Sequence, residues 1–168
     1  MRRNAAYWIE RLRLEKHPEG GFYKEIYRSS LKIPATSLPS SFRGDRVAST
    51  SIYFLLEENQ FSALHRIASD EVWHFYDGDC LAIFELTNEG NMRVHRLGNS
   101  PDEGESLQVI ISAGNWFGAK PDNGSEYALV GCTVAPGFDF DDFEFAKRDT
   151  LITQYPVHER IIRSLTLE

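Results

Sequence analysis

His65–Gly78, HRIASDEVWHFYDG, sets two histidines, the acid pair Asp70-Glu71, a tryptophan and an Asp77-Gly78 turn within fourteen residues. Alternate residues of a strand share a face. His65 and Ile67 therefore point one way, and beyond a turn near Ser69-Asp70 the residues Glu71, Trp73 and Phe75 share a second face. If that turn folds both faces into one barrel, an imidazole and a carboxyl meet inside. His74 has the opposite parity and points outward unless a bulge re-aims it. Asp77-Gly78 reads as a tight-hairpin signal.

The same grammar continues outward from this segment. Short apolar runs between turn signals predict strands at Phe22–Ser29, Ser49–Leu56, Phe61–Ile67, Val72–Tyr76, Leu81–Leu86, Met92–Leu97, Leu107–Ile111, Asn115–Ala119 and Tyr127–Ala135. Strands so regularly spaced predict a sandwich or a closed barrel. Asn4 caps a short helix with apolar residues Ala5, Trp8, Ile9 and Leu12, and His17-Pro18-Glu19-Gly20-Gly21 stops it. Ser30–Asp45 is a long loop or flap. Phe138–Phe145, FDFDDFEF, is an edge strand or turn anchored by phenylalanines, and its acids discourage edge-to-edge pairing. From Lys147 the pattern is helical again, with Leu151, Ile161, Ile162 and Leu165 as packing residues.

The 168 residues fit one domain, with 42% hydrophobic residues to fill its core. A net charge of −7 argues against a nucleic-acid partner. The basic group Arg2, Arg3, Arg11 and Arg13 reads as a solvated helix face. Cys80 and Cys132 are too few for a disulfide scaffold and read as buried, reduced thiols. No apolar run reaches the ~20 residues of a membrane span, and charges interrupt the start where a signal peptide would be apolar. A cytoplasmic location is the expectation.

The spacing of His65-x-Ile67, Glu71 and Gly78 resembles the first cupin motif, and Ser112-Ala113-Gly114-Asn115-Trp116-Phe117 falls in the register of the second. Ile67 and Phe117 stand where the family's other two histidines would be. A closer resemblance is to one cupin subfamily, carried by the blocks HPEGGFYKEIYRS (His17–Ser29), STSIYFLL (Ser49–Leu56), HRIASDEVWHFYDGD (His65–Asp79) and GCTVAPGFDFDDFEFA (Gly131–Ala146). It implies an all-β fold with minor α: a double-stranded β-helix, or jelly-roll, barrel over about residues 21–146, with a short N-terminal helix and a helical C-terminal segment. It also implies a homodimer.

A catalytic metal wants three or more converging ligands. His65 and Glu71 make two, and His74 is a third only against its parity, so no cofactor is favoured; a divalent metal on those three residues is the alternative. The leading expectation is a small-molecule-binding barrel, metal-independent, in which His65 acts as a general base near neutral pH with Glu71 beside it. Sugar-nucleotide epimerases, metal-free relatives of this fold, pair such a histidine with a tyrosine. Tyr53 or Tyr127 is expected in that role here, on a sugar-like or cyclic acidic substrate. Trp73, Trp116 and Phe117 offer aromatic surface, Gln108 an amide, and Arg28 a partner for an acidic group. A non-catalytic storage-type module would instead have its interior filled by side chains.

Overall fold

A computed structural model of the chain describes residues 3–167, so Arg2 lies outside the described residues. Helix α1 (Ala5–Leu12) comes first, followed by strands β1 (Glu15–Lys16), β2 (Phe22–Arg28), β3 (Lys32–Ile33), β4 (Arg46–Val47) and β5 (Thr50–Glu57). Next come β6 (Ser62–Arg66), β7 (Asp70–Gly78), β8 (Leu81–Leu86), β9 (Met92–Leu97) and β10 (Gln108–Ile111). The chain closes with β11 (Trp116–Pro121), β12 (Tyr127–Ala135), β13 (Glu144–Phe145), α2 (Arg148–Gln154) and α3 (Glu159–Ser164). No helix among the described residues is long and apolar enough to cross a membrane.

Two antiparallel sheets lie face to face, one in the order β1-β2-β5-β12-β7-β10 and the other β13-β6-β11-β8-β9. The predicted strands are all present, but most of their pairings are not local. Asp77-Gly78 does not close a tight hairpin: β7 lies in the six-stranded sheet and β8 in the five-stranded one. The chain likewise changes sheet between β5 and β6, β6 and β7, and β10 and β11. This alternation is a jelly roll. The turn Asn88–Asn91, by contrast, does join paired strands, with Leu86 opposite Met92.

Strand parity then sorts the apolar residues into three bodies. Between the sheets pack Phe54, Leu56, Trp73, Ile83, Phe117, Val130 and Cys132. The outer face of the five-stranded sheet (Leu64, Leu86, Trp116) is covered by Leu151, Tyr155, Ile162 and Leu165 of the C-terminal segment. The outer face of the six-stranded sheet (Leu55, Tyr127, Leu129) takes Ala5, Trp8, Ile9 and Leu12 of α1. Asn4 caps that helix by accepting the Tyr7 N–H at 3.0 Å.

Polar contacts pin α1 in place. The Trp8 indole and the Tyr127 hydroxyl each donate to the Asp77 carboxylate at 2.8 Å. Removing a donor to a partly buried carboxylate typically costs about 2 kcal/mol, so Tyr127→Phe is expected to lower unfolding stability by about that amount. Urea denaturation of the two proteins measures it, and equal stabilities would contradict this role.

One buried ion pair shapes the end of the sandwich. Arg46 of β4 donates twice to Asp142, both at 2.6 Å, with side chains only 3% and 6% exposed. Asp142 ends the short 3₁₀ turn Phe140–Asp142 within the FDFDDFEF stretch. Only Glu144–Phe145 of that stretch forms an edge strand, paired to β6. The flap read at 30–45 is likewise tied down, through β3 paired with β4.

Candidate functional site

Between the sheets the core opens into a chamber of about 380 Å³. His65 enters it from β6 in one sheet and Glu71 from β7 in the other. The crossover near Ser69 therefore does what the strand parity of His65–Gly78 predicts. Phe54, Trp73 and Ile52 form apolar walls, and Cys132 lies across the ladder from Trp73. Ile67 also lines the chamber, whereas Phe117 stands behind His65 with ring centres 4.2 Å apart.

The His65 ring is held in one orientation. Its Nδ1–H donates to the Ala63 carbonyl at 2.7 Å, so in the neutral ring Nε2 carries the lone pair. The carboxyl oxygen nearest to Nε2 belongs to Glu19, at 3.6 Å. Glu19 is the main residue that sequence reasoning missed. Its segment was read as a helix stop, but it threads between β5 and β6 and delivers His17 and Glu19 to the chamber floor. The Glu19 carboxyl accepts the Ser62 hydroxyl at 2.8 Å, and its backbone N–H donates to His17 Nδ1 at 3.2 Å. The signal in the sequence was the pair Gly20-Gly21, which permits backbone to approach backbone.

Burial governs the electrostatics of the floor. It pushes His17 and His65 below the ordinary imidazole range, against the pull of Glu19 on the first and of Glu71 on the second. It pushes Glu19 up. It lifts Glu71 to about 7, and the contacts from His65, Cys132 and Trp73 only partly offset that rise. Near neutral pH the floor thus holds neutral imidazoles beside a Glu71 carboxyl that keeps its proton about half the time. The Trp73 indole N–H is buried there beside Glu71 and makes no hydrogen bond of full geometry among the described residues.

The mouth is built by two irregularities. A register shift between Glu25 and Tyr27 makes Ile26 an extra residue in β2, so Glu25 and Arg28 both face inward. Arg28 does line the chamber, but it donates twice to Glu25 (3.0 and 2.7 Å) and to the Phe138 carbonyl (3.4 Å). Phe138, Asp139 and Phe140 complete the rim, positioned by the Arg46–Asp142 pair and by the Phe138 N–H bonded to Thr50 Oγ1 at 2.9 Å.

Several expected site residues lie elsewhere. Tyr53 alternates with Ile52 and Phe54 and faces the outer side of its sheet, edge-on to Tyr76. Tyr127 lies under α1. The tyrosine that lines the chamber is Tyr23, from β2. Trp116 points away from Phe117, beneath the C-terminal helices and the Arg66 guanidinium. Gln108 is exposed on β10, at the edge of its sheet. His74 points outward, with Nε2 3.2 Å from Thr133 Oγ1, because the register shift in β7 comes only after it.

The donor set does not fit a metal centre of the kind this fold often carries. Ile67 and Phe117 offer no lone pair, and among the described residues no three His, Cys, Asp or Glu side chains converge on a point that would hold an ion.

Fold and chamber together define a jelly-roll barrel with a buried histidine–carboxyl floor. The Cupin superfamily (DUF985) model matches residues 6–146, and the chain belongs to that family. The chain is 35% identical to a hypothetical protein from Leishmania major whose structure superposes with a TM-score of 0.87, covering 99% of this chain and 100% of that one. A protein from Shewanella oneidensis is 38% identical with a TM-score of 0.86 and 98% of each chain covered. An uncharacterized Saccharomyces cerevisiae protein, YML079W, is 26% identical over 145 residues, which span 80% of this chain and 71% of that protein.

Proposed function

We propose that this cupin binds a small ring-shaped molecule in its chamber and moves a proton on it without a metal, as an isomerase or epimerase does. The observation that carries the reading is His65. Its Nδ1–H is committed to backbone, its Nε2 lone pair is directed at buried carboxyls, and all of them border a roomy aromatic chamber. A storage-type module would have that interior filled.

In this reading His65 Nε2 takes a proton from a ring carbon, and Glu71 or Glu19 stabilises the imidazolium. Glu71, at about 7, is also poised to give or take a proton near working pH. Tyr23 reaches the chamber from the sheet opposite His65 and is the phenol available to the other face of the ring. Apolar walls exclude water and strengthen each of these interactions.

A thermal-shift screen of carbohydrates, nucleotide-sugars and small cyclic acids and amines, followed by NMR of each stabilising compound in D₂O, tests the reading. Deuterium is expected to enter one ring C–H position, and His65→Ala is expected to slow that exchange by about 10²–10⁴-fold. No exchange in any bound compound, or unchanged exchange in His65→Ala, overturns it.

A further inference from the structure

We propose that the chamber selects a small organic cation, a ring-sized protonated amine, over an anion of the same shape. This rests on the chamber being the ligand site, as proposed above, and adds the charge of what it holds.

The first ground is the charge inventory. Four carboxyl side chains line the chamber, those of Glu19, Glu25, Glu71 and Asp139, against the single guanidinium of Arg28. Arg28 is already engaged in a two-bond pair with Glu25. An incoming carboxylate or phosphate would have to break that pair and pass Asp139. The two imidazoles at the floor are neutral near pH 7, so they offer an anion no counter-charge.

The second ground is independent of any carboxyl count. The Trp73 indole N–H, in a residue only 2% exposed, is buried beside the Glu71 carboxyl without a well-formed hydrogen bond to it. A buried donor left without a well-formed acceptor is unusual. An ionised Glu71 would be the natural acceptor, with the Cys132 thiol as a second donor to it. What the floor lacks for that state is a positive charge, because a buried carboxylate needs a counter-ion. A ligand ammonium supplies it. The walls suit the rest of such a ligand, since Tyr23, Phe54, Trp73 and Phe138 line the chamber and aromatic rings attract cations.

Three matched probes separate the alternatives: cyclohexylamine, cyclohexanol and cyclohexanecarboxylate, titrated into the wild-type protein at pH 7 and followed by calorimetry. The ammonium is expected to bind at least about tenfold tighter than the alcohol, the effect of one desolvated charge pair, and the carboxylate weakest of the three. Ammonium binding is also expected to expel about half a proton at pH 7, read from the dependence of the heat on the buffer, because Glu71 ionises as the cation arrives. Glu71→Gln is expected to remove both the proton release and the preference for the ammonium over cyclohexanol.

Tighter binding of the carboxylate or the alcohol overturns this inference and leaves the proton-transfer reading standing. Binding of none of the three removes the chamber as a ring-sized site and overturns both. Displacement of the ammonium by equimolar zinc would reassign the acids to a metal and overturn the cation proposal.

Discussion

Gly20→Ala is expected to destabilise the fold by roughly 3–5 kcal/mol, because it combines a forbidden backbone conformation with a collision against main chain. Gly20 has φ +115°, and a methyl group there would overlap the carbonyl oxygen of Phe61. Neither partner is a flexible side chain that could swing away. Relief requires the His17–Gly21 segment to lift off β6, which would also break the bond from the Ala63 N–H to the Glu19 carbonyl (2.9 Å). The control is Gly90→Ala. Gly90 has φ +88° but nothing within 4 Å of the added methyl, so its loss reports backbone strain alone, about 1 kcal/mol. Denaturant titration of both variants measures the contrast. Equal, small losses at the two positions would mean that the close approach at Gly20 is not there.

Glu71→Gln is expected to change how stability depends on pH. In the unfolded chain this carboxyl releases its proton near 4.5, and in the folded protein at about 7. Between those values the folded state binds more protons than the unfolded state, so the group's contribution falls as pH rises through the window and is constant above it. At about 1.4 kcal/mol per pH unit the loss is ~3 kcal/mol. Glutamine does not titrate, so the variant gains ~3 kcal/mol relative to wild type between pH 4 and pH 8. His17 and His65 have the opposite sign. Their proton affinity is depressed by folding, so they cost stability as pH falls below 6.5. Both proteins carry them, and the difference between the two curves isolates Glu71. Parallel curves across that range would show that Glu71 titrates like an exposed acid.

The two carboxyls of the floor, Glu71 and Glu19, differ in how far the sequence reached them. Alternation along His65–Gly78 placed His65, Glu71 and Trp73 inside and His74 outside, because parity is a local property of extended chain. The strands were legible for the same reason, as was the capped helix at Ala5–Leu12. Partnership between strands was not. The Asp77-Gly78 signal is genuine local chemistry, but β7 takes its neighbours from β12 and β10, which lie far away in sequence. Glu19 was missed because its role depends on where a glycine-linked segment lies against β6, not on any pattern around it. Arg28 reached the chamber wall through an extra residue that no periodicity announces. Tyr53 was mistaken for a site residue and Tyr23 overlooked, because nothing in the sequence says which strand pairs with β5 or on which side of it the chamber opens.

The inserted residue at Ile26 has a consequence for how such a barrel diversifies. It sets the phase of the end of β2: were Ile26 to pair with β5 in regular register, Tyr27 would turn inward in place of Arg28. The base of the barrel would be untouched, since His65, Glu71 and Glu19 hang from other segments. The charge presented at the rim is thus set by the phase of one strand end, while the histidine and carboxyls at the base are held by other segments.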